Sequence, residues 1–135
     1  MAIQFHPRPA TVLICNFETG FVPPEMVKPR RVIVISPKKF NNLGTCMVVP
    51  VSKTPPNEAP PLHIQFPAGK YHFFHRDFPC WAKCNMVYSV SLQRLDRLRV
   101  GTEYLTPSIT ELDLRLVRRT VAFAAGIDLD CLRDL

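Results

Sequence analysis

The chain has 135 residues, 47% apolar and 21% charged, a balance that suits one globular domain with a real core and excludes a disordered chain. Lysine and arginine outnumber aspartate and glutamate by 17 to 11, which favours an anionic partner, with RNA, DNA and acidic protein all eligible. The start, MAIQFHPRPA, lacks the apolar stretch of a signal peptide, and no run approaches the ~20 apolar residues of a membrane span. Five cysteines, odd in number and mostly in apolar segments, suit buried thiols in a reducing compartment, so the chain reads as a cytoplasmic protein with no membrane partner.

Fourteen prolines punctuate the sequence. Between them lie apolar runs of strand length: Val12 to Phe17, Val32 to Ser36, Cys46 to Val51, Leu62 to Phe66, Tyr71 to Phe74 and Trp81 to Ser91. The second run is apolar on both faces and reads as a central strand. NNLGT, residues 41 to 45, carries turn chemistry and predicts a hairpin between the second and third runs. Pro50 demotes the end of the third run to an edge or bulge, and VSKTPPNEAPP beyond it reads as an exposed loop. In LHIQF, Leu62, Ile64 and Phe66 alternate with His63 and Gln65, the sign of a strand with one wet face.

The pattern changes near Thr106. Thr106 can cap a helix that has Pro107 at its first position, or Ser108 can cap it with Glu111 closing a capping box. Ile109, Leu112, Leu116, Val117, Val121 and Ala124 then fall on one stripe, Arg115, Arg118 and Arg119 lie largely off it, and Gly126 is a natural stop. Closely spaced strands followed by one late helix predict a mainly β fold, a small twisted barrel over about residues 11–104 with a helix over about 107–125.

Few residue clusters carry chemistry. Cys80 and Cys84 with His72 and His75 suggest zinc, but residues four apart on a strand are ~13 Å apart, too far to share one ion. No metal and no cofactor are expected. His72, His75, Arg76 and Asp77 could form an acid–base cluster, although no nucleophile setting accompanies them. A solvated loop flanked by core aromatics is the simpler account. The sharper feature is MVKPRRVIVIS, where Lys28, Arg30 and Arg31 crowd the entrance of a strand meant for burial. Two strands joined by a hairpin place the start of the first beside the end of the second, where Ser52 lies. Neighbouring strands are ~5 Å apart, so a guanidinium and a hydroxyl could converge on one phosphate.

The order GFVPPEMVKPRRVIVISP, NNLGTCMVVPVSKT, CWAKCNMV and a terminal helix resembles the PemK/MazF family of toxin endoribonucleases, from Thr11 to Ile127. That resemblance implies an SH3-like barrel and a metal-independent cut of single-stranded RNA by its own 2′-hydroxyl, leaving a cyclic phosphate and a 5′-hydroxyl. It also implies a homodimer and a protein antitoxin. Arg30 stands at the family's active-site arginine and Ser52 at its hydroxyl position, while Glu25 matches an acidic loop residue. Lys28, Arg31, Lys53 and Lys83 become candidate RNA contacts. The family writes Arg-Pro where this chain has Pro29-Arg30-Arg31, so Arg30 and Arg31 can exchange assignments. Lys83 and Asn85 stand where part of the family has a basic-x-acidic pair, and asparagine cannot act as a base. A gyrase-directed toxin of the CcdB type and a non-catalytic RNA- or protein-binding barrel are the alternatives. The first would not need the Arg30/Ser52 pair.

Overall fold

The computed structural model describes residues 1–56 and 62–128. Seven strands form one antiparallel sheet: β1 (Val12–Cys15), β2 (Arg30–Val34), β3 (Thr45–Ser52), β4 (His63–Phe66), β5 (Cys80–Lys83), β6 (Tyr88–Ser91) and β7 (Leu95–Asp96). Their order is β4-β5-β3-β2-β1-β7, with β6 also on β3. β8 (Leu98–Val100) and β9 (Glu103–Leu105) make a separate hairpin, and α1 (Glu111–Ala124) follows. The fold is mainly β with one late helix, as the spacing of the apolar runs predicts.

β2 is central and buried on both faces. Ile33 joins one core with Val12, Val49, Val51 and the helix residues Leu114 and Val117. Val32 and Val34 join a second core with Leu13, Phe17, Val48 and Leu95. The strand begins earlier than the apolar run predicts, because Arg30 and Arg31 already pair with Cys15 and Ile14 of β1. Both arginines therefore stand on strand backbone.

β3 is the hub. One edge pairs with β2, and the other pairs with β6 through Thr45–Val48 and with β5 through Val51 and Ser52. Val49 and Pro50 face no strand on that second edge, where a short 3-10 turn at Cys84–Met86 carries the chain from β5 to β6. A residue without an N–H is tolerated at such a changeover. Pro50 is thus buried mid-strand, which corrects its expected place at a strand end. The hairpin before β3 forms as NNLGT predicts. Gly44 takes φ 94° at its end, and Asn41 is fully buried, accepting from Ser36 Oγ at 2.6 Å and donating to Pro7 O at 2.8 Å.

Two predicted elements, the strand at Tyr71 to Phe74 and the start of the helix, also differ. Tyr71 to Phe74 is a turn, with Phe74 N donating to Tyr71 O at 3.1 Å. Its aromatics pack as a cluster with Phe66, which satisfies their burial without a ladder. The helix also starts later than expected, because residues 107–109 serve β1 first. Val12 N donates to Pro107 O and Ile109 N to Ala10 O, and Thr11 bridges Ser108. Thr110 is the cap, its Oγ1 accepting from Asp113 N at 3.2 Å. Of the VSKTPPNEAPP loop, residues 57–61 lie outside the described residues.

The buried stripe of α1 is rotated from the apolar one. Leu112 and Leu116 are exposed, while Asp113, Leu114, Val117 and Thr120 face inward. The cause is a buried polar knot: the Tyr71 hydroxyl donates to Asp113 Oδ2, and Lys70 Nζ lies 2.9 Å from the same oxygen. Arg118, expected on a solvated face, forks onto Ile35 O at 2.9 and 2.7 Å and ties the helix to the residue after β2.

Burial raises the Asp113 pKa, but hydrogen bonds from Tyr71, then Lys70 and Thr110, outweigh it and hold the carboxyl below its ordinary 3.8. The unfolded chain therefore binds this proton first, so the stabilisation is complete above the unfolded value and is lost as pH falls through the folded one. Tyr71→Phe is expected to cost about 1–3 kcal/mol in urea unfolding near neutral pH, with the deficit shrinking in strong acid. Equal denaturant midpoints for the two proteins near neutral pH would show that the knot does not hold the helix.

Candidate functional site

A cleft of about 270 Å³ opens where β2 begins and β3 ends. Its basic groups are Arg30, Arg31 and Lys53, its hydroxyls belong to Ser52 and Thr54, and Ile14, Val51, Phe74 and Cys80 supply an apolar floor. The register explains the convergence. Val32 with Pro50 is the last pair of the β2–β3 ladder; before it Arg30 and Arg31 pair with β1, and after it Val51 and Ser52 pair with β5, so the cleft opens where the two strands stop pairing. Successive residues on β2 point to opposite faces of the sheet, so Arg31 lies on the Ile33 face and Arg30 on the Val32 face, and the cleft at the strand entrance touches both.

The electrostatics are one-sided. No acidic residue among those described lines the cleft. The ion pairs among the described residues join Met1 to Asp96, Lys70 to Asp113 and Arg115 to Glu111, and none involves Arg30, Arg31 or Lys53. Burial raises the Cys80 thiol pKa, and Arg31 and Lys53 pull it the other way, which places both cations near the cleft floor. Burial also raises Cys15 and Cys84 to about 12 and Cys46 to about 11, leaving these thiols protonated and unreactive. Ser52 Oγ accepts from Thr54 N at 3.1 Å, so its own hydrogen remains available to donate. The arrangement can bind a phosphate through a guanidinium fork, an ammonium and a hydroxyl.

The structure brings four of the candidate residues together: Arg30, Arg31, Ser52 and Lys53. The others do not line the cleft. Glu25 folds back on its own loop, where its Oε1 accepts from Val22 N at 3.0 Å. Lys28 is exposed two residues before the strand. Lys83 lies on β5 opposite His63, and Asn85 is exposed in the 3-10 turn. His75, assigned from sequence to a solvated loop, is half-buried and lines the cleft. The signal for it was local: the histidine directly follows two phenylalanines, and both are buried. Among the described residues no group of three or more His, Cys, Asp or Glu side chains could hold a metal ion, and no helix is long and apolar enough to cross a membrane.

Comparison with known proteins agrees with this geometry. The chain is 30% identical over 141 aligned residues to YifN of Escherichia coli (strain K12), covering 90% of this chain and 93% of that one. MazF of Deinococcus radiodurans superposes with a TM-score of 0.67 at 20% identity, over 92% of this chain and all of the other. The Mycobacterium tuberculosis toxin MazF-mt6 does so at 0.59 and 14%, over 90% and 99%. A MazE-MazF structure from Deinococcus radiodurans gives 0.61 and 19%, over 93% and 100%. At these identities the solved structures establish the barrel-like fold. Residues 8–123 match the family described as the PemK-like, MazF-like toxin of type II toxin–antitoxin systems, and the chain belongs to that family.

Proposed function

We propose that this toxin is an endoribonuclease that cuts single-stranded RNA within the cleft between β2 and β3. The observation that carries the reading is the convergence of Arg30, Arg31, Ser52 and Lys53 on one cleft that no described acidic residue lines. In the reaction the ribose 2′-oxygen attacks the adjacent phosphorus and the bond from phosphorus to the 5′-oxygen breaks. One proton leaves the 2′-hydroxyl and one reaches the departing 5′-oxygen, giving a 2′,3′-cyclic phosphate and a 5′-hydroxyl. The nucleophile is part of the substrate, so the protein's task is positioning and charge stabilisation at the phosphorane.

Arg30 suits the charge role because it lines the same cleft as Ser52, where its fork and the hydroxyl can meet on one phosphate. Arg31 and Lys53 then hold neighbouring phosphates, with Lys28, Lys83, Asn85 and Glu25 along the outer path of the RNA. Because neither Lys83 nor Asn85 lines the cleft, the missing carboxylate at Asn85 takes no acidic group out of it. The solved MazE-MazF pair supports a protein antitoxin as the partner of this chain as well. A homodimer acting in the cytoplasm completes the reading.

Arg30→Ala is expected to lower the single-turnover cleavage rate about 100-fold or more while the circular dichroism spectrum stays unchanged, since the side chain makes no ion pair among the described residues. Arg31→Ala should raise KM with a smaller effect on the rate. Joint loss of activity and folded signal in Arg30→Ala would assign that arginine to structure instead.

Ser52→Thr should keep the rate within a few-fold, because threonine presents the same hydroxyl, and Ser52→Ala should lose roughly ten-fold or more. A wild-type rate for Ser52→Ala in the same single-turnover assay would take Ser52 out of the site.

A further inference from the structure

His75 lines the cleft with Arg30 and Ser52, yet the reaction proposed above gives it no role. Its ring is fixed from several sides. Nδ1 accepts the backbone N–H of Asp77 at 3.1 Å and of Phe78 at 3.2 Å. The Phe78 ring packs 4.7 Å from the imidazole, and Phe74 directly before it is buried. The backbone is held too: Gly69, at φ 76°, donates its N–H to His75 O at 3.1 Å and closes the loop.

Two amide donors converge on Nδ1, so that nitrogen is the acceptor and the ring proton of the neutral imidazole sits on Nε2. Nε2 is then the one polar atom of the ring that its own loop does not use. The cleft that His75 lines also holds Arg30, Arg31, Lys53 and the hydroxyls of Ser52 and Thr54. All of these can donate, and an oriented N–H in their company is one more donor aimed at the same anion.

We propose that His75 is a further residue of the RNA site, donating a hydrogen bond from Nε2–H to an oxygen of the scissile phosphate. The assignment rests on the nuclease reading above. As a fixed donor His75 gains and loses no proton during the reaction, and its bond strengthens as negative charge grows on the phosphorane oxygen.

Two substitutions separate this role from a structural one. His75→Asn places Oδ1 where Nδ1 was, so the bonds to Asp77 and Phe78 survive and the donor reaching the cleft is lost. His75→Gln extends an amide N–H to the position of Nε2 and gives up the loop bonds. The expected result is a roughly 100-fold slower single-turnover cleavage for His75→Asn and near wild-type cleavage for His75→Gln, both folded by circular dichroism. A fast His75→Asn overturns the proposal and leaves His75 as a loop support. Equal slowing in both variants, with the fold intact, overturns it in favour of a proton-transferring imidazole.

The same proteins are titrated with a 2′-O-methyl RNA oligonucleotide that cannot be cut, followed by fluorescence anisotropy. His75→Asn should bind about ten-fold more weakly and His75→Gln about as well as wild type. Wild-type protein that binds this oligonucleotide but cuts no RNA contradicts the nuclease reading, and the binding comparison then decides the donor role alone. Where RNA is cut, equal affinities together with equal cleavage rates for wild type and His75→Asn remove His75 from the site; where it is not cut, equal affinities alone do so.

Discussion

The double burial of β2 is the constraint on which the rest of the molecule depends. Val32 and Val34 fill one core while Ile33 fills the other, so a slip of one residue in register would send each side chain to the wrong face. With β1 on one edge and β3 on the other, the strand cannot tilt or slide to relieve its charged entrance. Arg30 and Arg31 are therefore held by the cores, and a slip would also exchange the sides they occupy. The crowding of positive charge before a buried strand thus has a physical reason. A rigid mount keeps cations together without counter-charges among the described residues, which is the arrangement the proposed phosphate contact requires.

The same logic extends to the other wall of the cleft. β3 changes partner from β6 to β5 at Val49 and Pro50, and this change lets its last residues, Val51 and Ser52, turn toward the arginines with β5 behind them. The aromatic turn at Tyr71–Phe74 then brings His75 over the end of the cleft, while Tyr71 and Lys70 clamp Asp113 and with it the helix. One short segment thereby joins the stability of α1 to the placement of a side chain in the site.

Much of this was legible in the sequence, and the failures share a cause. The β2–β3 hairpin and the double-faced burial of β2 follow from periodicity and from the return of an antiparallel chain, and Arg30 and Ser52, at the two strand ends, line one cleft. What apolar patterning missed was polar burial. Asp113 faces inward because Tyr71, distant in sequence, supplies a partner, so the helix turns away from its most apolar stripe. Tyr71 to Phe74 resembled a strand because aromatic residues suit strands, although here ring packing alone buries them. The delayed helix start reflects backbone groups of residues 107–109 claimed by β1, a tertiary demand that capping residues do not announce. His75 entered the cleft through a loop whose path depends on the same aromatic cluster.

The central claim is that a cationic cleft on a fixed strand cuts RNA by the RNA's own 2′-hydroxyl. Mapping the ends produced from a mixed single-stranded RNA in EDTA tests it most directly. The account predicts cleavage that persists in the chelator and leaves 5′-hydroxyl and 2′,3′-cyclic phosphate ends, because an internal nucleophile requires no activated water. Cleavage that stops in EDTA and returns with magnesium or zinc, or products bearing 5′-phosphates, would contradict it.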